Sequence, residues 1–420
     1  MHNKWSSYLS FILSIAGAAI GLGNIWMFPY VAANYGGGTF IVTYAVFLFL
    51  FGLPLMFAEI KLGNNFTSCP IQSFSKVKAK FFGFWFALVS ILILGFYSVV
   101  SGASFAFFAD SIINLDLTWS SFTSSLFTIS FWSLSFLFGA VLIVSLGVKK
   151  GLERANFWLI PILYLSLLLI IATCSNLSGF HSALDFVFSF NFKDISLNLI
   201  AAAAGQSLFS LAVGAGCLIA YGSYLPQNSR IGMNLIPIAI MTIIVGILST
   251  LSILTIVKTY DMGLANGPEL MFLSLPIAFA KMQYGLIIAK LFFGVLVIAA
   301  LTSAISFLEV LIQVCSSQFN LQRQTALYYI LGFMSLFILF LCFGFYKDNL
   351  KFFNKSIFEL VIFIATSILL PISALMLCYS RLYMIYLQKN FSIRYQIVCF
   401  WYAIIIPGVI IAFLSRFFMY

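Results

Sequence analysis

The chain has 420 residues, 63% of them hydrophobic and 8% charged, with a net charge of +10 and a mean hydropathy of +1.10. That balance excludes a soluble globular domain and places the chain among polytopic α-helical membrane proteins. The apolar runs are long and do not alternate, unlike those of a β-barrel, and the basic residues fall in alternate loops, which reads as membrane topology rather than nucleic-acid binding.

A membrane span needs roughly 20 apolar residues, and about eleven candidates meet that need. They lie near 9–31, 39–61, 83–113, 125–147, 156–174, 197–224, 235–257, 285–314, 325–345, 356–386 and 395–415. The first contains SIAGAAIGLGNIWMFPY, with Gly17, Gly21, Gly23, Asn24 and Pro29 in close succession. Glycine costs about 1 kcal/mol and proline about 3 kcal/mol in a helix interior, so a continuous helix is unfavourable here. Broken backbone persists in lipid only where protein, ligand or a wet cavity covers it, so the segment reads as a binding site for something polar. It runs past Pro29 with no small-residue cleavage site and reads as a retained span, not a signal peptide. Glu59 and Glu309 fall within or near spans and read as structural pairs or helix-end caps; Asp110 reads as a solvated helix-end residue.

The sixth span carries GQSLFSLAVGAGCLIAYGSYL, in which Gly214 and Gly216 stand beside Ser210. Close packing explains one glycine-rich membrane helix. Two interrupted spans, five spans apart and therefore inverted, point instead to an inverted-repeat transporter with its site between them. The connection at 259–283, with GLANGPELMFLSLPIAF, has Gly-Pro and Leu-Pro steps that predict short broken helices over an external mouth. Seven scattered cysteines form no CxxC pair and suggest neither a metal site nor a disulfide framework. Lys4, Lys76, Lys78, Lys80, Lys149, Lys150 and Arg154 fall on one side, which puts the N-terminus in the cytoplasm.

GAAIGLGNIWMFPY followed by NYGGGTFIVTYAVFLFLFGLPLMFAEIKLG resembles the opening of the neurotransmitter:sodium symporters. GQSLFSLAVGAG is similar to their sixth helix, GPELMFLSLPIAF to their fourth external loop and ALTSAISFLEV to their eighth helix. The likeness runs in order over almost the whole chain and is to the eleven-span bacterial type. It implies the leucine-transporter fold: one transporter domain over 1–420, with inverted repeats at 9–174 and 197–386 of five helices each, helices one and six unwound mid-membrane, and an eleventh helix at 395–415.

The resemblance also implies the site. A sodium ion would lie between helices one and eight, held by backbone carbonyls of Gly17, Ile20 and Ala299 and the hydroxyls of Thr302 and Ser303; five neutral oxygens suit a hard cation. Taken alone, Thr302 and Ser303 would read as hydroxyls bonded back to the preceding turn. A second sodium site would use Ala19, Asn24, Ser210 and Thr242 with the substrate carboxylate, although many relatives carry Asn or Asp where this chain has Thr242. The substrate pocket would comprise Ala18, Gly21, Gly23, Ile93, Tyr97, Phe209, Ala212, Ala215, Ser303 and Phe307, with Tyr97 on the carboxylate. Gly21 stands where monoamine carriers place an aspartate, so an α-amino acid fits better than a lone amine. The small Ala18 and Ala215 suggest a hydrophobic, large or aromatic side chain.

The gates depart from the family. Its outer arginine and aspartate match Met27 and Ile362 here, and joint apolar replacement of an ion pair can be near neutral. On the inner side the arginine and aspartate match His2 and Ser317, while Trp5 and Tyr224 persist; Trp5 would plug the inner vestibule or anchor at the interface. The function implied is sodium-driven amino-acid symport across the plasma membrane (the bacterial inner membrane) by alternating access, with no enzymatic step, since no Walker A pattern is present. A sodium-independent facilitator or exchanger, and a non-transporting sensor that keeps the fold, are the alternatives. Chloride dependence and oligomeric state are open.

Overall fold

The structure is a computed structural model that describes residues 4–227, 229, 231–263, 270–346, 351–352, 355–387 and 393–410. His2, the Gly267–Glu269 part of the external-loop motif and the end of the eleventh span lie outside the described residues.

Helix α1 (Tyr8–Ala19) begins where the Ser7 hydroxyl accepts from Ser10 N at 3.1 Å. It stops at Ile20 and resumes, bent by 59°, as α2 (Gly23–Asn34). The widened turn Gly23–Met27 opens α2, and Pro29 follows in the first turn of the regular helix, where it needs no N–H partner. Next come α3 (Gly38–Phe66), the short α4 (Pro70–Lys76), α5 (Lys80–Ile113), the one-turn α6 (Trp119–Thr123), α7 (Leu126–Ser145) and α8 (Val148–Cys174). The connection after α8 folds as α9 (Phe180–Phe188).

The sixth span is two pieces, α10 (Leu197–Ser210) and α11 (Cys217–Ser223), rather than one helix. Then follow α12 (Ile236–Thr259), α13 (Leu270–Lys281), α14 (Gly285–Phe319), α15 (Arg323–Tyr346), α16 (Ile357–Leu387) and α17 (Gln396–Ile410). Helix α13 consists of a widened turn and a two-turn helix entered at Pro276, as the Leu-Pro step predicts. A two-residue antiparallel ladder pairs Lys351–Phe352 with Lys355–Ser356 before α16.

Among the described residues eight helices are long and apolar enough to cross a bilayer, and the α1–α2 pair makes a ninth crossing. The broken α10–α11 and the shorter α17 are the remaining two of the eleven predicted segments. Burial sorts them. The most hydrophobic window of α14 is 89% buried and that of α5 72%, against 33% for α8. Helices α5 and α14 therefore form the centre, and large apolar residues such as Leu165 and Leu336 on the outer helices are left for lipid. The two broken spans pack against this centre, so their free backbone faces protein rather than hydrocarbon, as a bilayer requires.

Candidate ion and substrate site

At the break in the first span, Gly21 N donates to Ala19 O at 3.1 Å and Asn24 N to Gly21 O at 3.1 Å. Asn24 Nδ2 reaches back to Ala19 O at 2.8 Å and so clamps the turn from the side. In the sixth span Ala212, Gly214 and Gly216 all have positive φ. Glycine adopts that region freely, whereas Ala212 bears about 1–2 kcal/mol of strain. The carboxylate of Glu59, fully buried on α3, offsets this by accepting from Gly214 N at 2.7 Å and Gly216 N at 2.9 Å. Ser90 on α5 donates to Ala215 O. The unwound strand is thus held by side chains from two other spans.

The first predicted ion cluster comes together. All five residues are buried; Gly17 meets Thr302 and Ser303 where α1 packs on α14, with Ala299 one turn before them, and Ile20 ends α1. Ser303 Oγ lies 3.3 Å from Gly17 O and 3.4 Å from Ala18 O, across the two helices. Thr302 Oγ1 donates to Ala299 O at 3.1 Å, the bond to the preceding turn that the plainer reading expects. The oxygen-only donor set, two hydroxyls among main-chain carbonyls, fits a sodium ion.

The second cluster comes together only in part. Ala19, Asn24 and Ser210 line the central cavity, and Gln206 Nε2 ties Ser210 Oγ to Gly23 O at 3.2 Å each. Thr242 is not among the cavity's lining residues, and its hydroxyl turns back to Ile238 O at 2.8 Å on α12.

All ten residues predicted from the sequence as substrate contacts line that one cavity, joined by Leu370 of α16. It holds about 20 Å³, room for about one water and far less than an amino acid. The space anticipated beside Ala18 and Ala215 is closed in this conformation. The glycines explain how tightly. A Cβ on Gly21 would lie 2.5 Å from Tyr97 Oη and 2.7 Å from Ser303 Oγ, and one on Gly23 would strike the Phe209 ring. Tyr97 meets Phe307 edge to face at 6.0 Å.

At the outer gate positions, Met27 is 40% exposed and Ile362 half-buried. At the other pair of predicted gate positions Trp5 is buried. Its Nε1 donates to Tyr221 O at 3.0 Å, and its ring stands 6.0 Å from that of Tyr224. Tyr224 donates to Glu309, which pairs with Arg323 at 2.5 and 2.8 Å. Ser317 sits 2.9 Å from Cys69 Sγ. Glu59 and Glu309 are thus both paired, Glu59 with unwound backbone and Glu309 with Arg323, as the structural reading expects. Asp110 differs: its Oδ2 accepts from Leu117 N at 2.8 Å and caps the connection after α5 instead of being merely solvated. Sequence reasoning missed Leu370 and the buried Asn156 of α8, which lies against Gly17. Neither belongs to a motif, and an ordinary apolar or amide residue inside a helix carries no signal of its own.

These features define a helical membrane transporter with an enclosed site between two discontinuous spans. Comparison with known proteins gives the family: the model of the sodium:neurotransmitter symporter family matches residues 2–133 and 128–419, and the chain belongs to it. An uncharacterised sodium-dependent transporter of Bacillus subtilis is 30% identical over 393 residues, covering 89% of this chain and 86% of its own. Another, from Methanocaldococcus jannaschii, is 31% identical over 373 residues, 80% of this chain and 73% of the relative. The crystal structure of MhsT in complex with L-phenylalanine superimposes with a TM-score of 0.87 at 29% identity, over 99% of this chain and 100% of that one. The fold is therefore the five-plus-five inverted repeat with its first and sixth helices unwound. The protein is a multi-pass, sodium-dependent membrane transporter and not an enzyme.

Proposed function

We propose that this transporter couples sodium entry to uptake of a hydrophobic or aromatic α-amino acid across the plasma membrane by alternating access, with its N-terminus in the cytoplasm. The inverted repeats are 9–174 and 197–386, and 395–415 adds the last helix. One sodium is held by Gly17, Ile20, Ala299, Thr302 and Ser303. A second sodium site uses Ala19, Asn24, Ser210 and Thr242, whose hydroxyl donates to Ile238 O and keeps its lone pairs for an ion. The substrate carboxylate lies against the unwound backbone near Gly21 and Gly23 with Tyr97, and its side chain among Ile93, Phe209, Ala212, Ala215 and Phe307. Met27 and Ile362 form an apolar outer gate, Trp5 and Tyr224 the inner plug.

The observation that carries this reading is the wall at Gly21. Tyr97 Oη and Ser303 Oγ fill the space where a carboxylate side chain would balance a lone amine. Apart from Asn24 and Ser210, the remaining walls are apolar and uncharged and suit an apolar side chain on a zwitterion whose charges meet backbone. The bound phenylalanine of MhsT, whose structure is so similar, supports the same class.

The test is a thermal-shift screen of the purified protein against the common amino acids, in sodium and in potassium. A ligand at about 100 times its Kd raises stability by about 2.7 kcal/mol. Phenylalanine, leucine, methionine or tryptophan is expected to raise the melting temperature in sodium only. A larger shift with lysine or glutamate would contradict the substrate class.

A further inference from the structure

Asn156 stands on α8 just beyond the widened turn Val148–Glu153 with which that helix begins, and it is fully buried. Its Nδ2 donates to Leu152 O at 3.0 Å, one turn back, and this orients the amide. The other end of the amide, Oδ1, has no hydrogen-bond partner. That oxygen points at Gly17: a Cβ placed on Gly17 would collide with it and would lie 3.2 Å from Thr302 Cβ. Asn156 Oδ1 and Thr302 thus share one face of Gly17, the residue whose carbonyl heads the ion cluster.

A buried carbonyl oxygen without a donor is costly, and native structures retain few of them. Contact with the Gly17 Cα–H is a weak substitute. The polar groups nearest by position do not relieve it. Ser303 Oγ is directed to the Gly17 and Ala18 carbonyls, and Thr302 Oγ1 to Ala299 O. The amide oxygen thus stands, without a donor, on the same side of Gly17 as Thr302, beside two of the predicted ion-site positions. Converging acceptors become favourable when a cation sits among them.

We infer that Asn156 Oδ1 is a further oxygen donor of the sodium site, so that α8 closes the site from a third side while α1 and α14 supply the rest. This rests on the sodium site proposed above. A neutral amide oxygen adds coordination without adding charge, which matches the other members of the set. It also explains why Gly17 must lack a side chain: any Cβ there would displace this oxygen.

The test titrates sodium, at constant total sodium plus potassium and without amino acid, against the melting temperature of the wild-type protein, Asn156→Leu and Asn156→Asp. The leucine variant keeps the volume and removes the oxygen. It is expected to need about tenfold more sodium for the same rise, the effect of losing one supporting group at a metal site. The aspartate variant, which keeps the oxygen, is expected to titrate at or below the wild-type concentration. An Asn156→Leu protein that titrates as wild type does would overturn the inference. Equal loss of response in both variants would also overturn it, by showing a purely structural role. A wild-type protein with no sodium response would instead overturn the sodium site itself, and the part of Asn156 with it. Should the leucine variant fail to fold, Asn156→Ser serves in its place with the same expected rise in sodium requirement.

Discussion

Replacing Thr302 and Ser303 together by alanine should abolish sodium-driven uptake while leaving the protein folded. The two hydroxyls are the only side-chain oxygens among the five positions Gly17, Ile20, Ala299, Thr302 and Ser303; the rest are main-chain carbonyls that no substitution removes. Each hydroxyl also makes a bond that costs about 1 kcal/mol to lose, one within α14 and one from α14 to α1. The loss of stability is therefore modest, whereas the proposed sodium site loses both of its hydroxyl donors. Loss of a single supporting partner at a metal site costs 10–100-fold in affinity, so removing two direct donors should raise the sodium requirement by at least about 100-fold. Uptake measured against sodium concentration checks this, with Thr302→Ala alone expected to fall between. Normal sodium dependence in the double variant would remove the site from between α1 and α14.

Glu59→Ala should have the opposite profile, a large loss of stability. The Glu59 carboxylate accepts the N–H groups of Gly214 and Gly216, and both are buried in the unwound strand between α10 and α11. Each N–H left without an acceptor costs about 1–3 kcal/mol. No nearby helix can take them, because the positive φ angles at Ala212, Gly214 and Gly216 turn this backbone away from any regular ladder. A fall in melting temperature of about 2–7 °C is expected. Glu59→Gln, which keeps one carbonyl oxygen but turns an amide N–H₂ toward the strand, should fall less. The measurement is thermal unfolding in detergent. A Glu59→Ala variant as stable as the wild type would mean that the strand is held by something else.

The parts legible in the sequence are those where backbone chemistry restricts the residue. Gly17, Gly21, Gly23, Gly214 and Gly216 are visible because close approach or a positive φ admits little else, and they located both breaks. The ten pocket residues followed from the resemblance to the neurotransmitter:sodium symporters, and several of them, such as Ile93, Tyr97 and Phe307, stand in helices with no such glycine motif. Leu370 and Asn156 were not legible, since each acts through a neighbour more than a hundred residues away along the chain and neither residue type is unusual in a helix. Thr242 shows a different limit. Its hydroxyl bonds its own preceding turn, as that of Thr302 does, so this bond does not separate an ion ligand from an ordinary helix residue. Trp5 reads as a plug or an interfacial anchor on sequence alone; its burial against Tyr221 and Tyr224 is visible only in the structure. The closed cavity could not be foreseen either, because the ring of Phe209 rests on Gly23 by virtue of how the two broken spans meet.

The account turns on coupling, and uptake into proteoliposomes measures it directly. Labelled phenylalanine or leucine is supplied outside, with sodium or potassium in the external buffer. One sodium crossing ~100 mV carries about 2.3 kcal/mol, enough for roughly fiftyfold accumulation of a zwitterion. The expected result is concentrative uptake that requires inward sodium and collapses when sodium is equal on both sides and the potential is zero. Uptake that is unchanged in potassium, or amino-acid binding without any flux, would contradict the account.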